Sequence, residues 1–160
     1  MSETIASAVK AISVWDTYWS DLYHWSIAAA PGWKATQNSE SSLVLNPGDD
    51  TTYVTVDIID VDDYVPTEEL CKDAVANQLT KEDAWQGWDI LSSHEDDYEG
   101  HNWYRINFRF RPQGYHPAVV CIVQVGRSGS LEYIVTARVD ERGVSEHAAA
   151  IDHMLESFRF

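Results

Sequence analysis

Apolar and polar residues alternate along several stretches of the chain, and a period of two predicts β-strands with one buried face. Residues 51–61 alternate through Val54, Val56 and Ile58. The pattern is cleaner in residues 102–111, where one face carries Tyr104, Ile106, Phe108 and Phe110 and the other carries Trp103, Arg105, Asn107, Arg109 and Arg111. This strand is therefore expected to place three arginines on one face of a sheet.

The remaining strands are predicted from apolar runs and the turns between them. Residues 118–125 are apolar nearly throughout, which is typical of a central strand covered on both faces. Further strands are expected at 42–48, around 88–93 and at 131–139. Because the turns between the late strands are short, we expect these strands to pair antiparallel.

Two helices are predicted, one between the strands and one after them. The first runs from Thr67, as its N-cap, to about Lys81, and its buried face carries Cys71, Val75 and Leu79. The second follows Ser145, also interpreted as an N-cap, with a buried stripe formed by Ala148, Ile151, Leu155 and Phe158. His147 and His153 are expected on its solvent-exposed surface.

Four of the seven tryptophans lie within residues 15–33. Trp25 shares a predicted strand face with Tyr23 and Ile27, so it is interpreted as core rather than as a ligand platform. Trp33 follows a Pro-Gly turn. Trp85 and Trp88 lie between the first helix and the next strand and are better candidates for exposure; the alternative is that they pack as a lid over the edge of the core. Exposed aromatic pairs can stack on sugar rings or bury against a partner.

The order of strands, helix, four strands and helix predicts an α+β domain, an antiparallel β-sheet flanked by helices in an α/β/α sandwich. We expect residues 1–160 to form a single domain, in which 1–14 are an N-terminal extension and 15–160 the domain proper.

Three local sequences carry a resemblance to a known family. The first is an aromatic strand that runs into Pro-Gly-Trp, "WSIAAAPGW". The second is the strand that ends in a Tyr-containing loop before the first helix, and the third is the closing helix that ends "MLESFRF". Over about residues 18–160 the chain resembles the PsbP/Mog superfamily, which includes DcrB-like bacterial proteins. The resemblance implies an antiparallel sheet between helices and a role as a non-catalytic binding or accessory module.

The net charge of −15 narrows the classes of expected partner, because it disfavours binding to nucleic acid and to anionic membranes. The charge is uneven. Residues 49–99 contain sixteen of the 26 acidic residues and only two lysines, whereas residues 100–160 contain seven arginines and six acids. A 44% hydrophobic fraction supports a real core, and no apolar run is long enough for a membrane span.

Motifs for catalysis, phosphate binding and dinucleotide binding are absent from the sequence. His94, with Glu95, Asp96 and Asp97 next to it, and His101 are the candidates for an acid/base or metal site. The two cysteines lack metal-binding spacing and are expected to be buried thiols.

A second acidic cluster could hold a hard cation. Asp60, Asp62 and Asp63 offer oxygen ligands for Ca²⁺, although they lack the EF-hand pattern. A solvated acidic loop is the alternative, and we expect no cofactor and no transition-metal site.

The row of Arg105, Arg109 and Arg111, which we call the arginine stripe, is the leading candidate for partner binding. Trp103 is expected to act beside it as a buried anchor. Pairing of these arginines with the protein's own acids is the alternative.

The function predicted from the sequence is recognition of a protein partner by a non-catalytic module. Two alternatives remain open: a small hydrolase-type enzyme that uses a His/carboxylate site, and a carbohydrate-binding module that uses Trp85 and Trp88. No nucleic-acid binding and no direct membrane insertion are expected. The location is expected to be cytoplasmic if the chain is complete and extracytoplasmic if a leader was removed.

Overall fold

The computed structural model describes residues 15–49, 51–61, 65–81, 88–98, 100–112 and 117–160. A two-stranded antiparallel hairpin comes first, formed by β1 (Asp16–Ser20) and β2 (Trp25–Ala29). The other strands form one antiparallel sheet in the order β3-β4-β5-β9-β8-β7-β6. Their bounds are β3 Lys34–Ser39, β4 Ser42–Asn46, β5 Tyr53–Asp60, β6 Asp89–Tyr98, β7 His101–Phe110, β8 Val119–Ser128 and β9 Leu131–Asp140.

Two helices complete the fold: α1 (Thr67–Lys81) and α2 (Val144–Ser157), the second preceded by a short 3-10 helix at Glu141–Gly143. Helix α1 packs on β7 and β8, while α2 packs on β9 and on the hairpin strand β2. The α+β class, with an antiparallel sheet between helices, is therefore confirmed. Neither helix combines the length and the apolar character needed to cross a membrane.

Strand β8 lies inside the sheet between β7 and β9, as its two-sided apolar sequence predicts. Cys121, Val123 and Val125 are buried on the α1 side, whereas Val120 and Ile122 pack against the core on the α2 side. The geometric centre of the seven strands is β9 rather than β8. Each of these two strands is ten residues long.

The apolar faces predicted from the alternation are confirmed on both sides of the sheet. Ile106, Phe108 and Phe110 of β7 lie in the α1-side core, and the three β5 residues named in the predicted alternation lie in the α2-side core. Trp25 is buried in the α2-side core, where its Nε1 donates a hydrogen bond to the carbonyl of Glu40 at 3.0 Å.

The end of the chain closes the α2-side core. Phe158 packs against Trp25 and Trp103, and the Phe160 ring stacks on Tyr133 with ring centroids 4.2 Å apart. Between these rings, Arg159 exchanges two backbone hydrogen bonds of 2.9 Å with Ser26. The last three residues therefore tie the hairpin to the main sheet.

Strand β6 is longer than predicted. The sequence indicates a strand around 88–93, and residues 94–97 continue β6 and pair with β7. Asp and Glu are poor strand formers, but ladder hydrogen bonds to the strongly patterned β7 outweigh that local preference. Strands β1 and β3 were also not predicted, because their sequences are short and largely polar.

Both predicted helix caps are wrong by a residue or two. Helix α1 begins at Thr67 itself, whose hydroxyl is hydrogen-bonded to Asn102 of β7 instead of to its own helix. Ser145 lies inside α2, whose N-cap is Gly143.

His147 is buried at 9% exposure rather than lying on the surface. Its Nε2 lies 3.4 Å from Oδ2 of Asp49, and its ring makes an edge contact with Trp33. The helical stripe includes His147 because it lies four residues before Ile151 and seven before Met154 on the same face. His153 is exposed, as predicted.

The cysteines are confirmed as buried thiols. Cys71 donates a hydrogen bond to the carbonyl of Val123 at 3.3 Å, and burial raises the pKa of its thiol to about 12. A thiol with so high a pKa is a poor nucleophile at neutral pH. Cys71 is therefore part of the packing between α1 and the sheet.

Gly126→Ala tests the closing of the core by the last residues. A Cβ at this position would lie 2.6 Å from Phe160 and 2.8 Å from Trp103, so one ring must move. We expect the variant to lose about 1–3 kcal/mol in the free energy of unfolding. In Gly143→Ala, by contrast, the nearest atoms lie at 3.4 Å, and little change is expected. Equal urea midpoints for both variants and the wild type would contradict this account.

Glu132→Gln tests a buried carboxyl. Burial raises the pKa of Glu132 to about 7, with a further contribution from Asp73, while Arg127 opposes the shift. The folded state thus retains the proton at pH values where the unfolded chain has lost it. Stability should fall as pH rises from 4.5 to about 7. At about pH 8 we expect the variant to be roughly 1–3 kcal/mol more stable than the wild type.

This gain should disappear below about pH 4.5, where both states are protonated. Glu40→Gln, at an exposed position, serves as the control and should follow the wild type at every pH. Thermal unfolding between pH 4 and pH 8, at roughly unit steps, measures the difference. A Glu132→Gln variant whose stability parallels the wild type over that range would contradict the assignment.

Candidate functional site

A polar cleft of about 450 Å³ lies on the α2 side of the sheet. It forms because α2 packs over β9 and β2, whereas the β6–β7 half of the same face lies beyond the helix. Strand β6 is exposed along its described residues. The cleft therefore lies where the covered part of the sheet meets the open part.

The floor of the cleft consists of side chains in two rows across the strands. In the first row, which we call the donor row, Arg105 of β7 stands between His94 of β6 and Gln124 of β8. In the second row, Trp103 stands between Asp96 of β6 and Gly126 of β8. The rows share a face because directly paired residues of neighbouring strands point to the same side.

The wall of the cleft is the end of α2 and the residue stretch after it. Its lining residues are Leu155, Glu156, Phe158 and Arg159. The Arg159 guanidinium donates to the carbonyls of Glu156 and Phe158, so it is held against the helix end. Cations near a helix C-terminus are favourable because the terminal carbonyls carry partial negative charge.

Arg105 is the best-positioned cation of the cleft. Its Nε donates to Oδ1 of Asn107 at 3.1 Å, and the amide of Asn107 donates in turn to Ser92 at 2.9 Å. The bond to Asn107 restrains the guanidinium, whose Nη2 lies 3.9 Å from Oδ1 of Asp152 on α2, a longer ion pair than that of Arg109. The Arg105 side chain is 23% exposed.

The other two arginines of the arginine stripe, Arg109 and Arg111, have different neighbours from Arg105. Arg109 forms an ion pair with Glu141 at 2.9 Å, so for this residue the internal-pairing alternative holds. Arg111 is exposed just beyond the end of β7. The shared face is thus as predicted from the alternation, but only Arg105 points into the cleft.

Trp103 is 7% exposed and packs edge-on against Phe158 and Phe160. Its indole already belongs to the protein core and reaches solvent only at the cleft floor. As a partner anchor it can therefore offer an edge rather than a whole ring.

Of Trp85 and Trp88, the two candidates for an exposed aromatic pair, the structure describes only Trp88. Trp88 packs partly buried against the α1-side core, and Trp85 lies outside the described residues. Among the tryptophans that the structure describes, the strongly exposed one is Trp19 of β1, at 61%, and it lies close in sequence to the exposed Leu22. Because β1 is short and has polar residues at both ends, the sequence around Trp19 shows no periodic pattern that predicts this exposure.

The His/carboxylate candidates are divided between the two faces of β6. His94 and Asp96 face the cleft, while Glu95 and Asp97 point to the α1 side, where the amide of Asn102 donates to both. His101 packs on Phe160 with ring centroids 4.2 Å apart. Strand alternation therefore places Glu95 and Asp97 on the opposite face from His94 and Asp96, although the four residues are adjacent in sequence.

Among the residues that the structure describes, no group of three or more His, Cys, Asp or Glu side chains could hold a metal ion. Of the proposed Ca²⁺ ligands, Asp60 lies at the end of β5 and is hydrogen-bonded to Ser130. Asp62 and Asp63 lie outside the described residues, so the Ca²⁺ hypothesis stays a prediction.

Sequence reasoning missed five of the residues that line the cleft: Gln124, Leu155, Glu156, Phe158 and Arg159. Leu155 and Phe158 were identified only as core. Gln124 offers one signal, since it is the single polar residue in the apolar run 118–125. The others depend on where the end of α2 meets the sheet, which no local pattern encodes.

Solved structures with the same fold are found, although no family model and no curated protein matches the sequence. The cyanobacterial PsbP (CyanoP) from Synechocystis sp. PCC 6803 aligns with a TM-score of 0.65 at 15% identity, covering 90% of this chain and 91% of that one. The Saccharomyces cerevisiae Ran-binding protein Mog1p aligns at 0.64 and 13% identity, covering 90% and 94%.

LpqN of Mycobacterium tuberculosis, described as involved in cell envelope biogenesis, aligns with a TM-score of 0.58 at 11% identity, covering 91% of this chain and 84% of that one. These alignments extend over nearly the whole described fold. The chain therefore has the PsbP/Mog-like fold that the local sequences indicated.

Arg109→Gln tests the internal ion pair of the stripe. Removing the contact with Glu141 should lower the free energy of unfolding by no more than about 1 kcal/mol, because both side chains are substantially exposed. The loss should shrink at high salt. Arg111→Gln should leave stability unchanged. A double-mutant cycle with Glu141→Gln isolates the pair, and zero coupling energy would contradict it.

Proposed function

We propose that this protein is a non-catalytic binding module that recognises another protein through the α2-side face of β6 and β7. The observation that carries the proposal is Arg105, a guanidinium held by Asn107 in a cleft beside an uncovered sheet face. An arginine fixed by its own neighbours loses little conformational freedom when it binds a carboxylate.

The distribution of charge supports an oriented encounter. Several acids of the middle block lie on the α1 side of the sheet, namely Glu68, Glu69 and Asp73 on α1 and Glu95 and Asp97 on β6, whereas Asp96 faces the cleft. The arginine stripe lies on the opposite side of the sheet. Separated regions of opposite sign orient an approaching partner, in a manner that salt weakens.

The structural neighbours fit this class of function. Mog1p is a Ran-binding protein of the same fold, and it covers almost all of the present chain. The likeness supports a binding role for the fold and leaves the partner to be identified from this chain's own surface.

The exposed face of β6 beside the cleft leaves room for an acidic segment of the partner. Arg105 is the inner contact, and Arg111 stands exposed farther along the stripe. The two residues therefore allow separate effects to be measured: loss of a positioned contact at Arg105 and loss of long-range attraction at Arg111.

Photo-crosslinking can identify the partner. A benzoylphenylalanine at position 111 should capture it from cells of the source organism, whereas the same group at position 72, exposed on α1, should not. Equal capture from both positions would place the contact elsewhere.

Binding of the purified partner then tests the arginines. Arg105→Gln should weaken binding at least about tenfold, mainly through faster dissociation. Arg111→Gln should lower the association rate, and the difference from wild type should fade as ionic strength rises past about 0.1 M. Melting temperatures of both variants provide the stability control. An Arg105→Gln protein that is stably folded and binds with wild-type affinity would refute the proposal.

A further inference from the structure

We infer that the cleft is a binding site for a single carboxylate attached to a flat apolar group, such as an aromatic ring. The inference deepens the proposed function and rests on it in one respect, since it names the group that the partner would insert. The site itself can be tested without any partner.

The donor row determines the charged end of the ligand. His94, Arg105 and Gln124 lie side by side on three neighbouring strands, and such strands are about 4.8 Å apart. The guanidinium and the amide are therefore close enough to donate to one carboxylate together. Because Arg105 is held by Asn107 and its Nη2 lies 3.9 Å from Asp152, the guanidinium is oriented before the ligand arrives, and the ligand carboxylate has to compete with Asp152 for it.

The apolar end of the ligand is determined by the residues beside that row. Trp103, Leu155 and Phe158 line the same cleft, and all three are largely buried. Their exposed edges form the apolar part of the cleft lining, next to the charged floor. A flat group attached to the carboxylate would cover it and displace water from it.

Acids at the edge of the cleft limit the ligand to one negative charge. Asp96 and Glu156 both line the cleft and are exposed. A second negative charge on the ligand, as on a phosphate or a dicarboxylate, would be repelled by them. A monocarboxylate satisfies the donor row without this repulsion.

Phenylacetate is the probe, and 2-phenylethylammonium is the matched cation of similar size and shape. Both are titrated into the ¹⁵N-labelled protein, and the indole N–H of Trp103 and the side-chain amide of Gln124 are followed by NMR. Phenylacetate should shift both signals with a dissociation constant on the order of a millimolar, as is usual for so small a ligand. The ammonium probe should leave both signals in place.

Arg105→Gln should weaken phenylacetate binding at least about tenfold, while Lys72→Gln, exposed on α1 and outside the cleft, should bind like the wild type. If Arg105→Gln folds poorly, Gln124→Ala replaces it and should weaken binding by a smaller factor. Shifts from the ammonium but not from phenylacetate, equal shifts from both, or none from either would overturn the inference.

The two proposals fail in different ways. Phenylacetate binding at the cleft, together with crosslinks that map to another surface, would retain the carboxylate site and reject the protein-docking function. Crosslinks at position 111 with no phenylacetate shifts would retain the docking surface and reject the carboxylate site.

Discussion

The packing of the last three residues onto the sheet is the contact on which the α2 side of this molecule depends. Phe160 stacks on Tyr133 over Gly126, which has no side chain in the way, and Phe158 fills the space beneath Trp103. Aromatic side chains bury large areas, so two of them can close a core that a fourteen-residue helix does not cover. Arg159 pairs with the hairpin between them.

That packing also creates the cleft. The end of α2 is held over β9, and the strand order places β7 and β6 farther out on the same face. A wall therefore stands beside an open floor. The same closing residues serve the core on one side and line the cleft on the other, as Phe158 does. Residues of the core therefore also line the cleft, whereas Arg105 lines the cleft with a partly exposed side chain.

The proteins that share this fold do so at identities of 11–15%. Agreement at that level concerns the arrangement of strands and helices, which many sequences with suitable alternation can adopt. The chemistry of the cleft belongs to the particular side chains of this chain. A common scaffold and a separate set of surface residues are what one expects of binding modules that recognise different partners.

The sequence by itself determined the faces of the strands and helices, because side-chain direction follows from a period of two or 3.6 within each element. It identified the buried faces of β7 and β8, the span of α1, and the shared face of Arg105 and Arg109. Only the tertiary structure decided which of these arginines would be held in a cleft and which would pair with Glu141. It also buried His147. Those outcomes depend on which distant elements lie side by side, and no local period carries that information.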